Sequence, residues 1–224
     1  MTTPFKVTFT DVATGILGLT IAAAGVWIMV AGPSGLMPVH YDWSGEVNGW
    51  GTHVEVGARI AGPGLVLTVL GMGFGVEAAR SPDPGRQRAL RAAQLVALVA
   101  ISGLVLFLGG TCLTGVTSIG GGAPMAALSL IFVLVGTFLG RVGPNPVVGL
   151  RTPWTFKSRL AWDRSNRLVG RLLFFLGLFG VAASIFAPQP AGLVALFTGL
   201  TIAAVWGVIE SWRVWRTDPD RQPF

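Results

Sequence analysis

Charge is scarce in this sequence. Only 12% of its 224 residues are Asp, Glu, Lys or Arg, against about 25% in an ordinary soluble domain. With 52% hydrophobic residues and a mean hydropathy of +0.67, that scarcity excludes a water-soluble fold. Cysteine is nearly absent as well. The single Cys112 sits in an apolar run, which rules out a disulfide framework and a cysteine-based zinc site. Ionisable residues are missing from the middle of the apolar runs, where charge would mark an ion or proton pathway, and this argues against an ion-coupled pump. Asp11, Glu77 and Glu210 fall at run ends beside basic residues and read as solvated interfacial groups. No internal repeat of the kind found in many transporters is apparent.

What the chain does have is six long apolar runs: Val12 to Ala31, Ile60 to Val76, Ala92 to about Thr111, Ala123 to Gly140, Leu168 to Ala187, and Ala191 to Ile209. A bilayer core of about 30 Å needs about 20 helical residues, so the expectation is an all-α integral membrane protein with six transmembrane helices. The first run follows Lys6 and is too long for a signal-peptide core, so it reads as a retained span. Between Ala92 and Gly140 there is no charge, but Gly120-Gly121-Gly122 and Pro124 break the stretch into a helical hairpin. Pro188-Gln189-Pro190 marks a second tight break. Pairs of small residues four apart, such as Gly71 with Gly75 and Gly136 with Gly140, read as helix packing positions.

The net charge of +6 and pI near 11.0 would suggest nucleic acid in a soluble protein. Here the basic residues occupy short segments between the runs, so they read as orientation signals and phospholipid contacts, with no direct nucleic-acid role. Of the 16 Lys and Arg residues, all but Arg59 fall on one side of a six-span chain. Positive residues are retained in the cytoplasm. Both termini are therefore expected to be cytoplasmic, in the cell (inner) membrane of a bacterium.

Two loops stand out. The external one, about residues 32–57, contains Pro38, His40, Tyr41, Asp42, Trp43, Asn48 and Trp50. Asn48-Gly49 is a hairpin-turn signal, and the aromatics suit an interfacial belt. His40, Asp42, Glu46, His53 and Glu55 are metal-ligand types, but their spacing matches no standard zinc signature, and capping and turn hydrogen bonds account for His40 and Asp42. No cofactor is expected. The cytoplasmic loop, about residues 141–167, is the longest and most basic. Its prolines and glycines up to Pro153 impose a turn path, and the part from about Thr155 reads as a short interfacial helix. Arg171 lies about a turn inside the fifth run, where it either snorkels to the headgroups or faces inward.

The segment from Pro38 to Gly51 resembles the extracytoplasmic motif of DUF1648 domains. The segment from Gly143 to Arg171 is similar to the C-terminal signature of the SdpI family, through Pro144-Asn145, Gly149-Leu150-Arg151-Thr152-Pro153-Trp154-Thr155, Trp162, Asn166-Arg167 and Gly170-Arg171. Val147 and Val148 depart from the aromatic expected there. The resemblance implies two regions: residues 1–91 with the first two spans and the external loop, and residues 92–224 with four spans and the cytoplasmic signature loop. It also implies an immunity protein that protects against a secreted membrane-active peptide toxin, and a signalling receptor that binds a cytoplasmic transcriptional repressor. Under it, Pro38, His40, Tyr41, Asp42, Trp43, Asn48 and Trp50 would meet ligand. Asn145, Arg151, Thr152, Pro153, Trp154, Trp162, Arg167 and Arg171 would meet the cytoplasmic partner. Two other classes compete. A small transporter or exporter is compatible with the glycine-rich spans, and a membrane enzyme would use His40 and Asp42 as acid and base but lacks a nucleophile or a clear metal set.

Overall fold

Six long helices carry most of the chain in the computed structural model, which describes residues 7–145 and 148–222. Lys6, Pro146 and Val147 lie outside the described residues. The elements are α1 (Phe9–Ala31), β1 (Met37–Tyr41), β2 (Val47–Gly51), α2 (His53–Arg80), α3 (Pro84–Thr114), α4 (Gly122–Leu139), α5 (Pro153–Lys157), α6 (Arg159–Ala183) and α7 (Ala191–Thr217). All except α5 among the helices are long and apolar enough to cross a membrane. The protein is an all-α, multi-pass membrane protein whose only sheet among the described residues is one two-stranded hairpin.

Most of the helices begin ahead of their charge-free runs, although α6 stops at Ala183, short of Ala187. α2 begins at His53 rather than Ile60, capped by Thr52, whose amide donates to Glu55 Oε2 at 2.8 Å. α3 begins after Asp83, which accepts the Gly85 amide at 2.9 Å and the Arg86 amide at 3.2 Å. The Gly85 amide and then the Arg86 amide hold the Asp83 carboxyl below its usual pKa. A charge-free run marks only the part that must shed charge in lipid, whereas a helix continues into the polar layer until its caps stop it. The interfacial helix expected from about Thr155 is thereby limited to five-residue α5, and the basic residues from Arg159 onward form the first turns of α6.

The chain divides into two units, Met1–Arg80 with Ala93–Pro124, and Ser81–Ala92 with Met125–Phe224. In the first, α1 and α2 run antiparallel along a seam of small residues. A Cβ added at Gly25 would meet the backbone of Ala61 and Gly57, and one at Gly64 would meet Ala22 N and Gly18 O. Gly18 and Gly25 on α1, and Gly57, Gly64 and Gly71 on α2, recur every seven residues, the repeat that keeps one stripe facing a partner helix. Leu67, Val56, Ile60, Ile21, Val105 and Cys112 complete this core.

The same seam corrects the reading of Asp11. Its carboxylate is not solvated: it is 5% exposed and accepts from the Thr8 amide and hydroxyl at 2.8 Å each, and from Gln94 Nε2 at 3.0 Å. Gly75 leaves the space it occupies. Glu210 is half-buried, 3.7 Å from the exposed Arg213.

In the second unit α6 packs against both α4 and α7. Gly136 and Gly177 bring α4 and α6 into backbone contact, while Gly207 faces Val169 and Leu150. Two apolar clusters fill the seams, one around Leu139, Val169 and Leu173 and one around Met125, Leu193 and Leu196.

Candidate functional site

The hairpin of the first unit is built around Asp42. β1 and β2 pair antiparallel as Met37↔Gly51, Pro38↔Trp50, His40↔Gly49 and Tyr41↔Val47. The turn is Asp42-Trp43-Ser44-Gly45, not Asn48-Gly49. Asp42 Oδ1 accepts from Ser44 N at 2.8 Å, Ser44 Oγ at 2.6 Å and Glu46 N at 3.1 Å, and Gly45 takes φ +85°. The Ser44 hydroxyl, more than any other group, holds the Asp42 carboxyl below its usual pKa. Asn48-Gly49 instead lies within β2. Asn48 Oδ1 sits 2.5 Å from His40 Nδ1, and Gly49 lets the strands close over the His40 side chain, since an added Cβ there would stand 2.9 Å from His40 Cβ.

The linker between α3 and α4 docks on this hairpin within the same unit. Val47 N donates to Thr117 O at 3.1 Å and Ile119 N to Gly45 O at 2.9 Å. Ser118 Oγ donates to Glu46 Oε1 at 2.7 Å, and Tyr41 OH to Val116 O at 2.8 Å. Arg59, the lone cation expected on the outer side, reaches back to Val39 O at 3.3 Å. The seven residues singled out in this loop therefore separate by role. Pro38 is buried, His40 pairs with Asn48, and Tyr41 and Asp42 hold the shape. Trp43 and Trp50 present bare indoles, 62% and 53% exposed. Among the described residues no three His, Cys, Asp or Glu side chains converge on a metal position.

The loop of the second unit is as closely determined. Asn145 Nδ2 donates to Gly143 O and Val148 O, both at 2.9 Å, and its Oδ1 accepts from Val148 N at 2.7 Å. Trp162 is fully buried, with Nε1 donating to Val142 O at 2.8 Å. Asn166 Oδ1 accepts from Leu150 N at 2.6 Å. Thr152 caps α5, with Thr155 N donating to its Oγ1 at 3.2 Å and Pro153 at the first helical position, where a missing amide costs nothing.

Groups that motif reading passed over tie this loop to α7 and to the residues just beyond it. Thr152 Oγ1 lies 3.0 Å from Ser211 Oγ. Ser158 accepts from Ala161 N at 2.8 Å as the cap of α6 and donates to Asp218 Oδ2 at 2.5 Å. Gln222 N donates to Lys157 O at 2.8 Å. Ser158 was readable as a helix cap; Ser211 and Asp218 carry no local signal. Of the residues assigned to a cytoplasmic partner, Asn145, Thr152 and Trp162 are buried and hold the loop. Arg151, Pro153, Arg167 and Arg171 are exposed and Trp154 half-buried. Phe156, 60% exposed and 6.5 Å from the Trp162 ring, adds an apolar patch that the motif alone did not mark.

Residues 141–211, which run from the start of this loop to Ser211, match the model of the SdpI/YfhL protein family. The similarity is confined to this segment. Comparison with curated proteins finds similarity to "Immunity protein SdpI" of Bacillus subtilis (strain 168), 25% identical over 89 residues, covering 40% of this chain and 42% of that protein. The match spans less than half the length of that relative. No solved structure matches. The matched segment thus contains every buried polar residue that fixes the loop except Asp218, and the β1–β2 hairpin lies outside it.

Proposed function

We propose that the protein is an SdpI-like immunity protein, which lowers the sensitivity of its bacterial cell to a secreted membrane-active peptide. The carrying observation is the family match over residues 141–211, a segment whose loop is fixed by buried hydrogen bonds rather than left as a basic anchor. The reading assigns capture to the hairpin. Trp43 and Trp50 project from a scaffold locked by Asp42, Tyr41 and the α3–α4 linker, and rigid indoles give a large contact area at low entropy cost. An amphipathic peptide lying in the headgroup layer offers the apolar face they need. Relay to a cytoplasmic repressor falls to the exposed side of α5, namely Arg151, Pro153, Trp154 and Phe156. No step of this reading requires bond making or a cofactor.

The test is expression in sensitive cells challenged with membrane-active peptides from producing strains. Wild type is expected to protect, and Trp43→Ala with Trp50→Ala to remove protection at unchanged membrane abundance. Equal killing with and without the protein would count against immunity. Lost abundance in the double variant would make the indoles anchors instead.

A further inference from the structure

Residues three and four apart share a helix side, so α6 presents Arg167, Gly170, Arg171 and Phe174 on one face. Facing it are Gly136 near the end of α4 and Gly140 just after it, with Arg141 next in the turn. Between them lies an open cleft of about 580 Å³. Its floor is backbone: a Cβ on Gly170 would stand 3.0 Å from Gly136 O and from Gly140 N. Its rim is three exposed guanidiniums. No carboxylate lines it, and among the described residues none pairs with Arg141, Arg167 or Arg171. Arg167 and Arg171 stand four apart on one helix, a like-charge spacing that destabilises the helix unless an anion lies between them.

The depth of the cleft identifies the anion. The uncharged run that contains α4 ends at Gly140, and that of α6 begins at Leu168, interrupted only by Arg171. The arginines therefore stand where apolar helix surface gives way to charge, which is the level of phospholipid phosphates. On the apolar side the cleft continues along Phe174 and Phe175, the latter 53% exposed.

We propose that this cleft binds one anionic phospholipid, its phosphate held by Arg141, Arg167 and Arg171 and an acyl chain against Phe174 and Phe175. Guanidinium forks match phosphate oxygens two at a time, and the glycine floor admits the headgroup between the helices. The assignment goes beyond peptide protection, and it moves Arg167 and Arg171 from partner contact to lipid contact.

The test uses the full chain in a neutral detergent, titrated with phosphatidylglycerol or phosphatidylcholine and read by native mass spectrometry. Wild type is expected to retain phosphatidylglycerol selectively, and each of R141Q, R167Q and R171Q to weaken it about fivefold. R213Q with R216Q, which remove two cations from α7, should leave the selectivity intact. R141Q changes a residue beyond the helix end, so it remains informative if the α6 variants fail to fold. An equal loss in the α7 control would reduce the effect to diffuse charge and overturn the site. So would undiminished selectivity in R141Q. If glycerol phosphate competes at the same concentration as the lipid, the cleft takes a free phosphate and the lipid assignment falls.

Discussion

At Gly149 the backbone takes φ +129°, and an added Cβ would stand 2.8 Å from both Asn166 Oδ1 and the Trp162 ring. Both groups are buried and hydrogen-bonded, so neither can retreat cheaply. Gly149→Ala is expected to destabilise the protein by about 1–3 kcal/mol, read as a lower unfolding midpoint of the purified full chain. Gly143→Ala, where nothing lies within 4 Å, should change the midpoint little; equal shifts would show that the loop is insensitive to this position. Asp42 carries a pH signature of the opposite kind. Its folded pKa is depressed below the ordinary carboxylate value of 3.8, first by the Ser44 hydroxyl. The stabilisation it gives is therefore present above about that value and is lost as pH falls through the lower folded pKa. Hydrogen exchange at the Glu46 amide is expected to stay protected from neutral pH down to the ordinary carboxylate range and to rise below it, and Asp42→Ala should abolish that protection at all pH. Protection that persists unchanged through the acid range would show that the Asp42 carboxylate does not hold this turn.

Among the elements, the α1–α2 pair carries the closest backbone approach of the first unit. Gly25 has no space for even one methyl group against Ala61 and Gly57, and backbone cannot rotate away as a side chain can. Gly25→Val is expected to force the helices apart at a cost of about 1–3 kcal/mol, whereas Gly62→Ala, with nothing within 4 Å, should be neutral. Accessibility of a cysteine introduced at Ala22 would report the separation, and an unchanged labelling rate would refute it. The helices themselves were legible because lipid demands long charge-free runs, and the α3–α4 break was legible from its glycines and Pro124. Strand register was not. The Asn48-Gly49 signal is local, and it was overruled by the His40–Asn48 pair and by the Asp42 turn, which the distant Ser118 linker supports. The burial of Asp11 was hidden for a similar reason, since its partner Gln94 lies on another helix and Gly75 supplies the room. Likewise Thr152 with Ser211 and Ser158 with Asp218 join residues about 60 apart, and no short motif reports such a pairing.

Across the whole molecule the strongest constraint is the distribution of positive charge. The bilayer retains Lys and Arg on the cytoplasmic side, and six spans assign fifteen of the 16 basic residues to one side. A wrong number of spans would scatter them, because each added or missing crossing exchanges the sides of every later loop. The exception is consistent with the rule. Arg59 lies at the hairpin end of α2 and spends its guanidinium on the Val39 carbonyl, a structural bond that stabilises the β1–β2 hairpin. The six helices found, each interrupted where the charge or the Gly and Pro residues lie, match that count. Reporter fusions after residue 45 and near residue 120 are therefore expected to report the outside, and fusions near residues 85, 157 and 220 the cytoplasm. The decisive position is 157, in α5, because it lies beside the densest basic cluster and within the matched family segment. An outside signal there would reverse the last two spans and take the α5 surface off the cytoplasmic side, removing the face proposed for a repressor.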